Sequence, residues 1–420
     1  MFRRWEFFYI FADENLNKHY DMNIAIYTLT SELHDEAAVA AVTKEFLSSM
    51  TFDYDFCGAD FTSFGTHDLD LIYVRTGGTE GIFRSFYSNF ENKIVAPVYL
   101  LTSGKSNSLA ASMEILSYLR QQGRRGEIIH GTSSYINSRV ALLANVERAR
   151  RSLKGCRLGV IGQPSDWLIA SNVDKDAVKK RLGIEIEDIP LKEVLDNIES
   201  TVYVGKLPPN VKDAPKSVIR SIPGAMGIYY ALKKVVAQHD ISGFTLRCFD
   251  LLKILRNTGC LALACLNKEG IVAGCEGDIP AMLSMTVSRA LTGLSGFQAN
   301  PSRIDVEKGE MIFAHCTIPL NMVDDFELDT HFESGIGVGI RGRMREGDVT
   351  VFKMSGDATR FFAEEGVLVR NQNEPDLCRT QQIIRLDNIE DTRYFLTCPI
   401  GNHHIIMPGR WKKQIEELLG

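Results

Sequence analysis

The 420-residue chain has no stretch approaching the ~20 uninterrupted apolar residues that a membrane-spanning helix needs, no CxxC pair, and no excess of positive charge. The first absence argues against a membrane protein. The second removes the usual zinc-ribbon spacings, and nine cysteines, an odd count, at 57, 156, 248, 260, 265, 275, 316, 378 and 398 are expected as reduced thiols in a cytoplasmic protein. A net charge of −6 gives no reason to expect a nucleic-acid partner. Internal repeats and low-complexity segments are also missing. The N-terminal WEFFYIF (5–11) is shorter than a signal's apolar core, and the polar ADENLNKHYD after it offers no small-residue cleavage site, so secretion is not expected. Residues 1–21 read as an extension ahead of a more conventional strand, MNIAIYTLT, that opens at Met22.

What is present is ordinary globular composition, 45% apolar and 24% charged, over a length that calls for two or three domains. From Met22, short β-rich runs alternate with amphipathic helical ones: NIAIYTLT, EAAVAAVTKEFLSSM, DLDLIYVR, APVYLLTS, SLAASMEILSYLRQQG. That alternation predicts a parallel sheet covered on both faces. Two polar turns after strands, RTGGTEG (75–81) and TSGKSNSLAAS (102–112), suit anion or hydroxyl binding or plain helix capping; the second lacks the upstream glycine of a P-loop. SRVALLANVERARRSLKG (138–155) ends as a helix should, on basic residues and Gly155. A second α/β set follows, with CRLGVIG as a strand, AVKKRLGIEIE helical, a Pro-rich linker at 206–217, AMGIYYALKKVVAQHD helical, GFTLRCFD extended and LALACLNKEG helical. Beyond about residue 295 the pattern becomes antiparallel, as in GIGVGIRGRM and GDVTVFKMSG, and predicts a small barrel. The expected architecture is therefore two doubly wound α/β domains, 1–151 and 152–294, followed by an antiparallel β-barrel-like domain, 295–420.

Chemistry concentrates late in the chain. KEGIVAGCE reads as a strand delivering Glu276 at its end, PAMLSMTVSRALTG (280–293) as a helix with Pro in its first turn and Gly at its end, and SGFQAN as the next strand. Read as a parallel strand–helix–strand crossover, this unit places Glu276 and Asn300 together at one sheet edge; the plainer alternative has Glu276 cap the helix and Asn300 turn the chain. His315 ends the extended run MIFAH, and His403 and His404 follow another strand in CPIGNHHIIMPG. Glu, an amide and one or two His form a mixed O/N set that suits Mn²⁺, Co²⁺ or a similar divalent ion, and the lack of thiols at ligand spacing favours an open catalytic site over a closed structural one. In an extended segment His403 and His404 face opposite ways, so at most one faces the site.

These residues resemble the L-fucose isomerase and L-arabinose isomerase superfamily, metal-dependent aldose–ketose isomerases built of two α/β domains and a β-barrel-like domain. Glu276 opens the matching unit, Leu291-Thr292-Gly293 lies within it, Asn402-His403 falls in the C-terminal motif, and Glu307-Lys308-Gly309 precedes His315 as in the arabinose isomerase branch. The resemblance implies a Mn²⁺ held by Glu276, Asn300, His315 and His403, a sugar substrate, proton transfer through an enediol, and a trimer or hexamer. Sugar contacts are further expected from His404 and, across protomers as the resemblance implies, from TSGKSNS, with Ser103 and Ser106, or from RTGGTEG. The departure is Asn300, where the family has a carboxylate that also moves a proton, which an amide cannot accept. Asp278 stands nearest as a replacement base, with capping of helix 280–293 as its other role; Glu333 is a weaker candidate. Asn300 also motivates a different class altogether, a catalytically silent paralogue that binds a carbohydrate or a protein.

Overall fold

The computed structural model describes residues 23–90, 97–198, 211 and 213–420. The 1–21 leader and half of the Pro-rich linker, residues 206–210 and 212, lie outside the described residues. Two compact units divide the chain, one running to Ala149 and one from Arg150 to Gly420. No helix among the described residues is long and apolar enough to cross a membrane.

The N-terminal unit is a five-stranded parallel sheet in the order β2-β1-β3-β4-β5. Its strands are β1 (Ile24–Leu29), β2 (Asp55–Gly58), β3 (Leu69–Val74), β4 (Val98–Leu101) and β5 (Gly126–Ile129). Every residue of IAIYTL in β1 is buried, the near-continuous apolar run expected of a strand covered on both faces. Helices α1 (Glu36–Leu47), α2 (Glu80–Phe90), α3 (Ser108–Gln121) and α4 (Ser133–Leu153) supply the crossovers. Asp35 starts α1 by accepting a hydrogen bond from the Ala38 amide at 2.8 Å.

In the second unit β6 (Arg157–Ile161), β7 (Glu185–Ile189), β8 (Gly243–Leu246) and β9 (Val272–Cys275) form a parallel sheet in the order β7-β6-β8-β9. The associated helices are α5 (Lys175–Leu182), α6 (Leu191–Asn197), α7 (Lys216–His239), α8 (Cys248–Leu255), α9 (Cys260–Lys268) and α10 (Ile279–Thr292). Six antiparallel strands then close a barrel in the order β10-β11-β16-β15-β14-β17. They are β10 (Phe297–Asp305), β11 (Glu310–His315), β14 (Gly347–Met354), β15 (Phe361–Asn371), β16 (Thr380–Leu386) and β17 (His404–Pro408). Strands β12 (Asp325–Asp329) and β13 (Gly339–Arg343) pair separately, and short helices α11 (Arg393–Thr397) and α12 (Lys412–Leu419) complete the chain. The α/β sheets and terminal barrel are those expected from the sequence.

Three local expectations are corrected. The run AVKKRLGIEIE is not one helix: Gly183 adopts φ 74° and ends α5, and the following EIEDI pairs with β6 as β7. Helix α7 begins at Lys216, before the expected Ala225, and carries Pro223 inside it. Most important for the site, SGFQAN does not return to the parallel sheet. Strand β9 is that sheet's edge, and β10 pairs antiparallel with β11 and β17 in the barrel. Helix α10 is accordingly buried from Ile279 through Ser288, touching β9 on one side and β14 and β17 on the other. A helix shared by two layers shows apolar residues all round rather than a stripe.

Candidate metal centre

Strand β9 ends at Cys275, and the chain turns sharply into α10 through Glu276 and Gly277, both left-handed at φ 64° and 70°. Such a backbone costs a residue with a side chain roughly 1–2 kcal/mol, so Glu276 stays there only because its surroundings hold it. Its carbonyl accepts from the Ser165 amide at 3.0 Å, and the Gly277 amide donates to the Leu246 carbonyl at 3.0 Å. Only glycine fits at 277, since a Cβ would lie 2.6 Å from the Gln163 carbonyl oxygen and 2.8 Å from Pro164 Cα. Asp278 then caps α10, accepting from the Ala281 amide at 2.8 Å.

This turn aims Glu276 at two histidines from the barrel. His315 is the last residue of β11, and His403 immediately precedes β17. The Nε2 atoms of His315 and His403 each lie 3.5 Å from Glu276 Oε1, and one ligand atom from each of the three residues falls within 4.8 Å of the others. All three side chains are buried. Separations of 3.5 Å are long for hydrogen bonds but close to the ~3.0–3.4 Å between donors that share one ion at ~2.1 Å. His403 Nδ1 is held by Asp278 Oδ2 at 2.8 Å, while its buried Nε2 has no hydrogen-bond partner among the described residues, and neither has His315 Nδ1. An imidazole anchored on one nitrogen by a carboxylate, with the other turned to a carboxylate and a second imidazole, is the arrangement that orients a metal-binding histidine.

The electrostatics agree. Burial alone would raise the Glu276 carboxyl and lower the His403 imidazole, but their mutual attraction reverses both. Glu276 is held well below the carboxylate range by His403 and His315, and His403 is lifted to about 9 by Glu276 and Asp278. Metal binding at such a cluster would require His403 to give up the proton so retained. Asp278, fully buried, is brought down to about 2 against its burial by Lys353 and His403. The Lys353 ammonium, also fully buried and lowered by that burial, stands 3.5 Å from Asp278 Oδ2.

The remaining candidates are distributed as follows. Asn300 lies on β10, between the strands that carry His315 and adjoin His403, and its Oδ1 accepts from Asn402 Nδ2 at 3.2 Å. Of the two roles open to Asp278, the structure displays capping, together with support of His403, on a side chain with no exposed surface. His404 faces away from the cluster, as the extended backbone requires. Its Nδ1 meets the Asn402 carbonyl at 3.0 Å and its Nε2 the Tyr394 hydroxyl at 3.1 Å, and its ring packs among Phe362, Tyr394 and Phe395. Ser103 and Ser106 belong to the N-terminal unit, where Ser103 Oγ accepts from the Lys105 amide and the Ser106 carbonyl accepts from Gly77. Glu333 is exposed in the turn before β13.

Three neighbours were not singled out from the sequence. Lys353 lies on β14 and is fully buried. His331, buried and lowered to about 4 by burial and by the charge of His315, lies within electrostatic reach of Glu276. Trp167 donates its indole N–H to Glu276 Oε2 at 2.7 Å. Its signal was positional, since QPSDW follows β6 at the edge where open α/β sheets gather ligands.

No family model matches the chain. It is 23% identical over 309 residues to a sulfoquinovose isomerase of Priestia aryabhattai, an alignment covering 69% of this chain and 68% of that protein. It is 21% identical over 262 residues to a sulfoquinovose isomerase of Alkalicoccus urumqiensis, 59% of each chain, and 24% identical over 143 residues to one from Clostridium sp. (strain MSTE9), 32% of each. Over about two thirds of its length, the chain is thus similar to proteins named for a sugar isomerisation.

Proposed function

We propose that this protein is a divalent-metal-dependent aldose–ketose isomerase, of the fucose and arabinose isomerase-like kind, whose substrate is a sugar or sugar derivative such as a sulfonated aldose. The observation that carries the reading is the convergence of Glu276, His315 and His403 on one buried point, with His403 anchored from behind by Asp278. The similarity to sulfoquinovose isomerases supports the substrate class. Glu276, His315 and His403 would hold the cation, with the amide oxygen of Asn300 as a further donor. Mn²⁺ suits that oxygen and nitrogen set.

A bound divalent cation supplies charge stabilisation to a carbonyl and its neighbouring hydroxyl as negative charge develops on them. The chain's own residues do the rest. Glu276 would take the proton that leaves the carbon beside the carbonyl and return it to the neighbouring carbon, while the hydroxyl proton passes to the former carbonyl oxygen, so that an enediol links the two sugars. Asp278 fixes the His403 ring, and Lys353 balances the Asp278 charge. Burial of all three ligand side chains keeps competing water few and the local dielectric low.

Asn300 favours a second reading, a carbohydrate-binding protein without turnover. One experiment separates the two. Mn²⁺-loaded protein is incubated in D₂O with sulfoquinovose and a panel of pentoses, hexoses and 6-deoxy sugars, and deuterium at C2 is followed by NMR. Exchange with at least one sugar is expected. Sugar binding without exchange would select the silent paralogue, and neither exchange nor retained metal would overturn the isomerase reading.

A further inference from the structure

The loop after β6, Gln163 to Trp167, does more than connect a strand to a helix. Gln163 and Pro164 back against Gly277, and the Ser165 amide holds the Glu276 carbonyl at 3.0 Å. The loop is itself braced. Arg247 donates to the Pro164 carbonyl and, at 3.0 Å, to the Asp166 carboxylate, while its Nε holds Asp250 at 2.9 Å. From this braced loop the Trp167 N–H reaches Glu276 Oε2 at 2.7 Å, leaving Oε1 as the oxygen that faces both histidines. A carboxylate has two equivalent oxygens and a rotatable axis; a charge-assisted bond to one of them decides which remains for a ligand. The Ser165 hydroxyl, buried in the same loop, has no hydrogen-bond partner among the described residues.

Trp167 is nevertheless 51% exposed, an unfavourable state for so large a ring, while Glu276 at its tip is 8% exposed. Its ring meets Phe249 edge-on at 4.8 Å, and Phe249 meets His331 at 5.6 Å, so an aromatic wall runs past the carboxylate with Trp167 on its open end. Sugars have polar edges and apolar C–H faces, and a half-exposed indole whose polar handle is already engaged offers them a flat apolar surface.

We infer that Trp167 is a positioning and sugar-contacting residue: its indole N–H sets the Glu276 carboxylate for the cation, and its exposed face covers the C–H face of the bound sugar. The inference rests on the isomerase reading and deepens it. Three variants of the full chain separate its parts. Trp167→Phe keeps a ring and loses the donor, Trp167→Tyr keeps a ring with a hydroxyl donor, and Trp167→Ala loses both. Trp167→Phe is expected to weaken Mn²⁺ binding by about tenfold in calorimetric titration, and to lower kcat more than it raises KM. Trp167→Tyr should recover part of both losses, and Trp167→Ala should add about a tenfold rise in KM. Wild-type indole fluorescence should change on adding sugar to Mn²⁺-loaded protein, and Trp167→Phe should abolish that change.

Equal Mn²⁺ affinity and kcat in wild type, Phe and Tyr variants would overturn the positioning role. A sugar-dependent fluorescence change that survives in Trp167→Phe would overturn the sugar contact. If wild type turns over no sugar, the isomerase reading fails, whereas the fluorescence change still decides the sugar contact and the Mn²⁺ titrations of the Phe and Tyr variants still decide the positioning role.

Discussion

Replacing Asp278 by Asn isolates the support of His403 from the capping of α10. The amide oxygen can keep the 2.8 Å bond from the Ala281 amide, and Asn is as good a cap as Asp. What changes is Oδ2, which becomes an NH₂ facing the Nδ1 of His403 at 2.8 Å and the ammonium of Lys353 at 3.5 Å. Donor would oppose donor. In its neutral, metal-binding form the imidazole relieves this by carrying its proton on Nε2 rather than Nδ1, which removes the lone pair from the cluster it shares with Glu276 and His315. Loss of such an orienting carboxylate typically weakens metal binding 10–100-fold, about 1.4–2.7 kcal/mol. Stability falls as well, because Lys353 loses its countercharge in a site with no exposure. Removing one member of a buried pair costs roughly 3–5 kcal/mol.

A second route to that figure uses linkage. The folded-state carboxyl is lowered from 3.8 to about 2, so its ionised form contributes stability that is present above pH 3.8 and lost as pH falls toward 2. The shift corresponds to roughly 2 kcal/mol. The two routes bracket an expected loss of about 2–5 kcal/mol in urea unfolding. The double variant Asp278→Asn, Lys353→Met should recover much of the stability, since no charge is left uncompensated, yet none of the Mn²⁺ affinity measured by calorimetry. An Asp278→Asn protein that binds Mn²⁺ within about twofold of wild type would refute the argument that Asp278 governs His403.

Other outcomes follow from the same geometry. Asn300→Asp keeps an acceptor for Asn402 Nδ2 and adds a negative charge, so Mn²⁺ binding should tighten; unchanged affinity in calorimetry would put position 300 outside the cation's reach. Gly277→Ala must fit a Cβ 2.6 Å from the Gln163 oxygen at φ 70°, so unfolding should show a loss of about 2–4 kcal/mol and Mn²⁺ binding should weaken as Glu276 shifts; an unaffected protein would mean the turn yields freely. His404 is lowered to about 3 by burial and by the charge of Lys353, so it folds neutral. Between pH 6.5 and 3 the unfolded chain binds this proton and the folded one does not, hence stability falls with falling pH by up to ~1.4 kcal/mol per unit. Comparing urea midpoints of wild type and His404→Phe across that window should reveal the slope as a difference, and parallel profiles would refute it.

Which of these features a linear reading could reach depends on whether the controlling interaction is local. The strand-to-helix turn at Glu276 announced itself through Pro280 at the helix start and Gly293 at the helix end, both of them backbone requirements written into neighbouring residues. The opposite facing of His403 and His404 followed from the two-residue repeat of extended chain, and the structure turns one to Glu276 and the other to Tyr394. The return of the chain after α10 was another matter. FQAN has the same extended pattern whether it pairs parallel with β9 or antiparallel with β17, and a helix buried on every side fits beneath either partner. Pairing is decided by β11 and β17, which lie up to about a hundred residues downstream, and no periodicity records it. Lys353 shows the same limit at one residue. Nothing in GDVTVFKMSG marks Lys353 as buried, and its countercharge is Asp278, 75 residues earlier, whose own carboxylate is stabilised in turn by the lysine and by His403. Each group makes the other's burial tolerable, so neither position can be interpreted until both are seen together.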